Sequence, residues 1–230
     1  MTRQGDVNRF VLHPKGPVLG PLILCGVSFT RNKLQLLEKM GVKDSKKLSP
    51  KKREELAILI KQQCNSYKTL QLSSQDIDER KEKRISLNKL EIIKFVEIIN
   101  ELQPDIIYID AADTNEKRFG RSIKNQLDYK PKKIISKHKA DEMFPIVGAA
   151  SIIAKYHRDM IINELNKNYI NQGYIDIGSG YPSDEKTINF LRYWIRTYKK
   201  APACARKTWE TTKKILEEEL YNKKITQFFK

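Results

Sequence analysis

Pro104-Asp105-Ile106-Ile107-Tyr108-Ile109-Asp110-Ala111-Ala112-Asp113 is the stretch that decides the fold. Ile106 to Ile109 are β-branched or aromatic, and so short an apolar run bounded by polar residues predicts a strand buried on both faces. The run ends abruptly in acid. Asp110 falls at the carboxyl end of the predicted strand, where open α/β sheets place their ligands. A carboxylate there is costly unless a metal or a donor accompanies it. Either acid could cap the following turn. Asp113 reads as the cap and Asp110 as the residue with chemistry, because other parts of the chain give it a context.

On the amino-terminal side, Ile85 to Leu102 has the apolar spacing of a helix, and Tyr67 to Leu72 that of a strand. A linker rich in Ser and Asp separates them. Ser49-Pro50 predicts a helix start, with Ser49 as N-cap and Pro50 as the first helical residue. Leu56, Leu59 and Ile60 then share one face. Thr30 to Met40 reads as a short helix, and Phe10-Val11-Leu12 and Leu22 to Phe29 as strands. On the carboxyl-terminal side follow a helix over 115–127 and a short strand over 132–136. A helix crowded with small residues from Gly148 to Ala154 comes next, fitted for close packing. Ser183 would cap a helix running through Phe190 and Trp194, and a last helix opens near Ala205 and runs to Leu220. Strands alternating with helices predict a mixed α/β domain. No internal repeat is visible.

Lys and Arg number 44 against 28 acids, a net charge of +16, and the pI is about 9.6. Such a bias favours a polyanionic partner, nucleic acid first. No apolar run reaches membrane-spanning length. Residues 1–6 lack the apolar core of a signal peptide, and Cys25, Cys64 and Cys204 show neither metal-ligand spacing nor a disulfide framework. The expectation is a cytoplasmic protein with reduced thiols and no membrane partner.

Several stretches carry candidate chemistry. In the turn between the first two strands, Lys15 and Gly16 offer a positive charge and bare backbone to a phosphate, or make an ordinary hairpin turn. Lys46 and Lys47 could reach a phosphate or be merely solvated. Asp141 is a helix cap beside Lys139, or a second carboxylate ligand near Asp110. His138 alone says little. In Gly178-Ser179-Gly180-Tyr181-Pro182-Ser183-Asp184, a Tyr framed by Gly and Pro can stack on a sugar or a base.

Taken together, these blocks resemble the type 2 ribonuclease H family, ribonuclease HII, in its archaeal form. The matching blocks are Gly16-Pro17-Val18-Leu19-Gly20-Pro21-Leu22, Asp44-Ser45-Lys46-Lys47-Leu48-Ser49, Leu87-Asn88-Lys89-Leu90-Glu91, and Tyr108-Ile109-Asp110-Ala111-Ala112-Asp113. They continue with His138-Lys139-Ala140-Asp141-Glu142, Ala149 to Lys155, Gly178 to Asp184, and Arg206-Lys207-Thr208-Trp209. They fall in the family's order and span most of the chain.

The resemblance implies a ribonuclease H-like fold over 1–175, a mixed central sheet flanked by helices, with a helical extension over 176–221 packed on it. It implies an endonuclease that cleaves RNA in RNA–DNA hybrids, including ribonucleotides embedded in duplex DNA, in DNA replication and repair. It implies Mg²⁺ or Mn²⁺ held by carboxylates, since hard cations prefer oxygen and can activate water and steady a leaving oxygen. Asp110 and Asp141 match two of the family's four active-site acids. Lys15, Gly16, Lys46 and Lys47 would contact phosphates, and Tyr181 would stack at the ribo–deoxyribo junction. A monomer is expected.

The other two acids are missing. The family's Asp-Glu-Ala-Gly-(Arg or Lys)-Gly aligns here with Val11-Leu12-His13-Pro14-Lys15-Gly16. Apolar residues replace both carboxylates, and Pro14 removes an N–H donor. Asp6 lies outside the motif. The chain is then either a catalytically impaired hybrid binder or an enzyme whose first dozen residues carry a sequence artefact.

The tail at 222–230 ends Ile225-Thr226-Gln227-Phe228-Phe229-Lys230. Ile225, Phe228 and Phe229 match the aliphatic–aromatic–aromatic spacing of the sliding-clamp-binding box, with Asn222 where Gln is usual. At i, i+3 and i+4 they share a helical face. The expectation is a flexible tail that docks on the clamp; the competing reading folds its aromatics back on the domain.

Overall fold

The computed structural model describes residues 6–11, 16–42 and 48–228, with side chains described over 16–42 and 48–220. Lys15, Lys46, Lys47, Leu12 and Phe229 lie outside the described residues. The strands are β1 (Asp6–Val11), β2 (Leu22–Thr30), β3 (Ser66–Leu72), β4 (Ile106–Asp110) and β5 (Lys133–Lys137). They form one sheet in the order β3-β2-β1-β4-β5. β1 runs antiparallel to β2 and parallel to β4, and β4 runs parallel to β5. This is the mixed sheet that the sequence predicts.

The helices are α1 (Leu34–Lys39), α2 (Pro50–Gln63), α3 (Ser74–Glu79), α4 (Leu87–Leu102) and α5 (Glu116–Lys124). After β5 come α6 (Ala140–Met143), α7 (Pro145–Asn171), α8 (Glu185–Tyr198) and α9 (Glu210–Phe228). Caps explain several boundaries. The Ser49 hydroxyl accepts the Lys52 N–H at 3.2 Å and Pro50 opens α2, as expected. Ser86 caps α4 and Asn115 caps α5 in the same way.

Four expectations are corrected. The supposed Ser/Asp linker after β3 is α3, because Ser73 and Asp76 close a reciprocal capping box. Asp184, not Ser183, caps α8, its carboxylate accepting the Lys186 N–H at 3.0 Å. β4 is not buried on both faces. Ile107 and Ile109 are fully buried while Ile106 and Tyr108 are half-buried, since alternate residues point to opposite faces. α9 does not end at Leu220 but continues to Phe228, for Asn222 to Phe228 contain no Gly or Pro to stop it.

The described residues pack as two compact units interleaved along the chain. One takes in 6–11, 23–42, 48–71 and Ser86–His157; the other takes in 16–22, Leu72–Ile85 and 158–228. In the first, Leu24, Val27, Phe29, Ile107, Ile109 and Phe95 are buried, and Phe95 meets Phe119 edge-on at 6.1 Å. α7 approaches closely through Gly148, where a Cβ would strike the Val42 carbonyl. In the second unit Val18, Leu19, Ile162, Phe190, Leu191 and Ile215 form the core. There Arg192 and Arg196 of α8 both hold Glu219 of α9, at 2.6 and 2.5 Å. Among the described residues no helix is long and apolar enough to cross a membrane.

Candidate active site

In the first unit the chemistry gathers at the carboxyl end of β4. Asp110 closes the strand and lies in register with Lys137 on β5. β5 is followed by Lys139 in the left-handed region, φ 52°. That turn delivers the Ala140 N–H to the Asp110 carboxylate at 2.9 Å. Asp141 is the next residue and is 4% exposed. The Ala140 N–H thus holds Asp110 to the residue next to Asp141, far away in the sequence. Here the structure brings the expected pair into one corner.

Asp113 does what was expected of it. Its carboxylate accepts the Asn115 N–H at 2.9 Å and holds Arg118 at 2.6 Å. The Arg118 hydrogen bond, with that from Asn115, holds its pKa below the ordinary carboxylate value. His138 is engaged structurally, its N–H donating to Glu116 at 3.2 Å, and Glu116 also takes Lys137 at 2.6 Å.

The register of β1 locates position 11. Phe10 pairs with Ile109, so Val11 is the next position along and stands beside Asp110 in the sheet. The family's first acid would therefore fall on the neighbouring strand end. Two carboxylates alone do not make up a site for two divalent cations. Among the described residues no group of three or more His, Cys, Asp or Glu is arranged to hold a metal ion.

The second unit carries the glycine loop. Gly178 and Gly180 have φ of 64° and 77°, a region that L side chains rarely adopt. Asp184 accepts the Ser179 N–H at 2.6 Å. Thr187 accepts the Gly180 N–H and donates to the Ile177 carbonyl, both at 2.9 Å. These bonds fix Tyr181, whose ring lies 4.2 Å from the Arg158 guanidinium. Arg158 also donates to the Ser179 carbonyl at 2.5 Å.

The Gly180 carbonyl accepts the Val18 and Leu19 N–H groups at 2.8 and 3.1 Å. The loop is thereby joined to the segment that begins at Gly16. Arg206, 1% exposed, holds the far end of that segment through the Gly20 and Pro21 carbonyls at 3.1 and 2.8 Å. Its guanidinium also lies 5.0 Å from the Trp209 ring.

Sequence reasoning assigns no role to Arg158 or Arg206. Arg206 opens the block that ends in Trp209, and an Arg so close to a Trp is a usable signal. Arg158 sits mid-helix between His157 and Asp159 with nothing local to mark it.

A five-stranded mixed sheet flanked by helices, with a helical C-terminal region, is a ribonuclease H-like fold. The sequence profile described as Ribonuclease HII matches residues 14–212. The chain belongs to the ribonuclease HII family, whose members are endoribonucleases. It is 45% identical over 204 residues to the Ribonuclease HII of Methanocella arvoryzae, covering 89% of this chain and 88% of that one. Among solved structures, ribonuclease H2 from Pyrococcus horikoshii OT3 superposes with a TM-score of 0.84 and 39% identity, covering 94% of this chain and 100% of that one. The PCNA:RNase HII complex from Archaeoglobus fulgidus gives 0.79 and 36%, with coverage of 92% and 96%. Bst-RNase HIII in complex with Mn2+, at 18% identity, TM-score 0.74 and coverage of 94% and 70%, shares the fold.

Proposed function

We propose that the chain is an endonuclease for the RNA strand of RNA–DNA hybrids, including single ribonucleotides embedded in duplex DNA. With Val11 and Leu12 in place, it binds these substrates far better than it cuts them. The observation that carries this reading is the corner where Ala140 ties Asp141 to Asp110, one strand away from position 11. Asp110 and Asp141 are the retained half of a carboxylate set for Mg²⁺ or Mn²⁺, and acids at 11 and 12 would complete it. Lys15, Gly16, Lys46 and Lys47 take backbone phosphates. Tyr181, backed by Arg158, stacks on the sugar at the ribo–deoxyribo junction and so senses the 2′-hydroxyl.

The test is cleavage and binding of a duplex holding one ribonucleotide, with either cation. Binding without appreciable cutting is expected, with affinity falling steeply in salt. Full cutting by the unaltered chain would show that acids at 11 and 12 are not needed.

The tail is proposed to dock on the ring-shaped sliding clamp. Support comes from the Archaeoglobus relative solved with PCNA and from the helical backbone of α9 through Phe228, which sets Ile225 and Phe228 one turn apart. Deleting 222–230 should abolish clamp binding in calorimetry and leave hybrid affinity and melting temperature nearly unchanged. A large fall in melting temperature would instead place Phe228 and Phe229 in the core.

A further inference from the structure

A groove of about 510 Å³ opens between α5 and the edge strand β5. Its walls carry Lys117, Arg121 and Lys124 from α5 and Lys137 from β5, over a floor that includes Ile134 and Ile135. None of these cations belongs to the blocks that carry the family resemblance. We propose that this groove is an accessory track for the phosphate backbone of the nucleic acid, continuing away from the carboxylate corner. The inference rests on the hybrid-binding reading above.

Three observations carry it. First, Lys117, Arg121 and Lys124 lie at i, i+4 and i+7, so they form one stripe along the helix. All three are exposed, and none has an acidic partner among the described residues. The acid in the groove, Glu116, is held by Lys137 at 2.6 Å, and that hydrogen bond keeps its pKa below the ordinary value.

Second, the stripe spans about 10 Å at 1.5 Å per residue. Successive phosphates of one B-form strand rise about 3.4 Å along the axis, so the stripe covers about three of them. Third, the groove begins beside the candidate chemistry. Lys137 lines it and is the register partner of Asp110. Gly120 keeps the floor shallow, since a Cβ there would lie 2.9 Å from the Ser136 Cβ and push helix from strand.

The experiment is fluorescence anisotropy of the full chain with a labelled duplex holding one ribonucleotide, in chelator, across a salt series. Lys117→Ala, Arg121→Ala and Lys124→Ala combined should weaken binding at least about tenfold at moderate salt. The slope of log K against log salt should fall by about 0.9 for each phosphate that is no longer neutralised. Arg121→Lys should keep the unaltered affinity and slope, because a phosphate track asks only for charge. Lys83→Ala, Lys89→Ala and Lys94→Ala combined remove the same charge elsewhere and should cost much less.

Equal losses from the two triple variants would reduce the effect to net charge and overturn the proposal. Unchanged duplex binding by the groove variant, with loss of polyglutamate binding, would assign the groove to an acidic protein and also overturn it. Failure of the unaltered chain to bind any hybrid would instead sink the reading on which the proposal rests.

Discussion

The carboxylate corner and the glycine loop are built to different standards. At the corner, the Ala140 N–H donates to Asp110 and so sets Asp141, the next residue, near it, and the strand position beside Asp110 is Val11. In the loop, the Gly180 N–H, the Gly180 carbonyl and the Ser179 carbonyl all have partners, and Arg158 backs the aromatic ring. A satisfied polar network fixes one geometry, and such geometry is what recognition requires. A charge-stabilising site cannot be half-built at half the benefit, because its groups act together. On the function proposed above, recognition and chemistry are separable, and substitutions should move one without the other.

The largest expected effect is at the corner. Val11→Asp with Leu12→Glu should raise metal-dependent cutting by about 10²-fold or more, the scale on which single charge-stabilising groups act. Hybrid affinity measured in chelator should change little. Adding Asp110→Asn to that variant should abolish the gain in a gel-based cleavage assay. A rise in cutting that survives Asp110→Asn would break the comparison, for the chemistry would then lie elsewhere.

Next comes the scaffold of the loop. Arg206→Met removes the guanidinium that donates to the Pro21 carbonyl and leaves the Gly20 carbonyl only the Ser74 hydroxyl at 3.3 Å, and should cost about 1–3 kcal/mol in urea unfolding. Trp194 and Trp209 both lie in the unit that holds the loop, so tryptophan fluorescence reports its unfolding. A cost below about 1 kcal/mol would mean that water replaces Arg206 freely.

Tyr181→Ala should be smaller and more selective. Loss of one stacking partner costs about 1–3 kcal/mol. The cost should fall on the embedded ribonucleotide more than on plain duplex DNA, read as the ratio of two dissociation constants. Equal losses on both would make Tyr181 a packing residue.

The smallest effect separates the two units by pH. Lys61 donates to His157 at 2.7 Å between α2 and α7, and burial, then the Lys61 charge, pushes the His157 pKa below its usual 6.5. A base with a lowered folded pKa protonates first in the unfolded chain. Its stabilisation is therefore complete above pH 6.5 and fades as the pH falls through the folded value. In the loop's unit, Asp176 and Asp184 are acids with lowered pKa values, through Lys186 and Ser179 respectively. Their contribution is lost only as the pH falls below 3.8. The protection factors of the β4 amides, which are corrected for the intrinsic exchange rate, should fall from pH 6.5 downward while tryptophan fluorescence stays native to much lower pH. His157→Gln should flatten the first change, and a coincident loss of both signals would make the two units one cooperative whole.

Much of this was legible locally. The run from Ile106 to Asp110 specified a strand ending in acid, and Ser49-Pro50 a capped helix start, because β-propensity and capping depend on near neighbours. The helix at 74–79 reads as a linker by composition, although Ser73 and Asp76 spell a capping box. Ser183 and Asp184 can each cap, and only the folded loop shows which side chain takes the Lys186 N–H.

The sequence by itself determined the alternation of strands and helices, the basic charge, the apolar residues at 11 and 12, and the family motifs from Gly16 onward. Tertiary structure alone decided which of these residues meet. The parallel pairing of β1 with β4 makes Val11 the neighbour of Asp110. A left-handed turn at Lys139 brings Asp141 to the same corner, Arg158 comes to lie behind Tyr181, and the α5 cations come to line a groove beside β5. The physical reason is range. Propensity, caps and charge act over a few residues, whereas register and close packing join segments distant in the chain, and no local pattern records them.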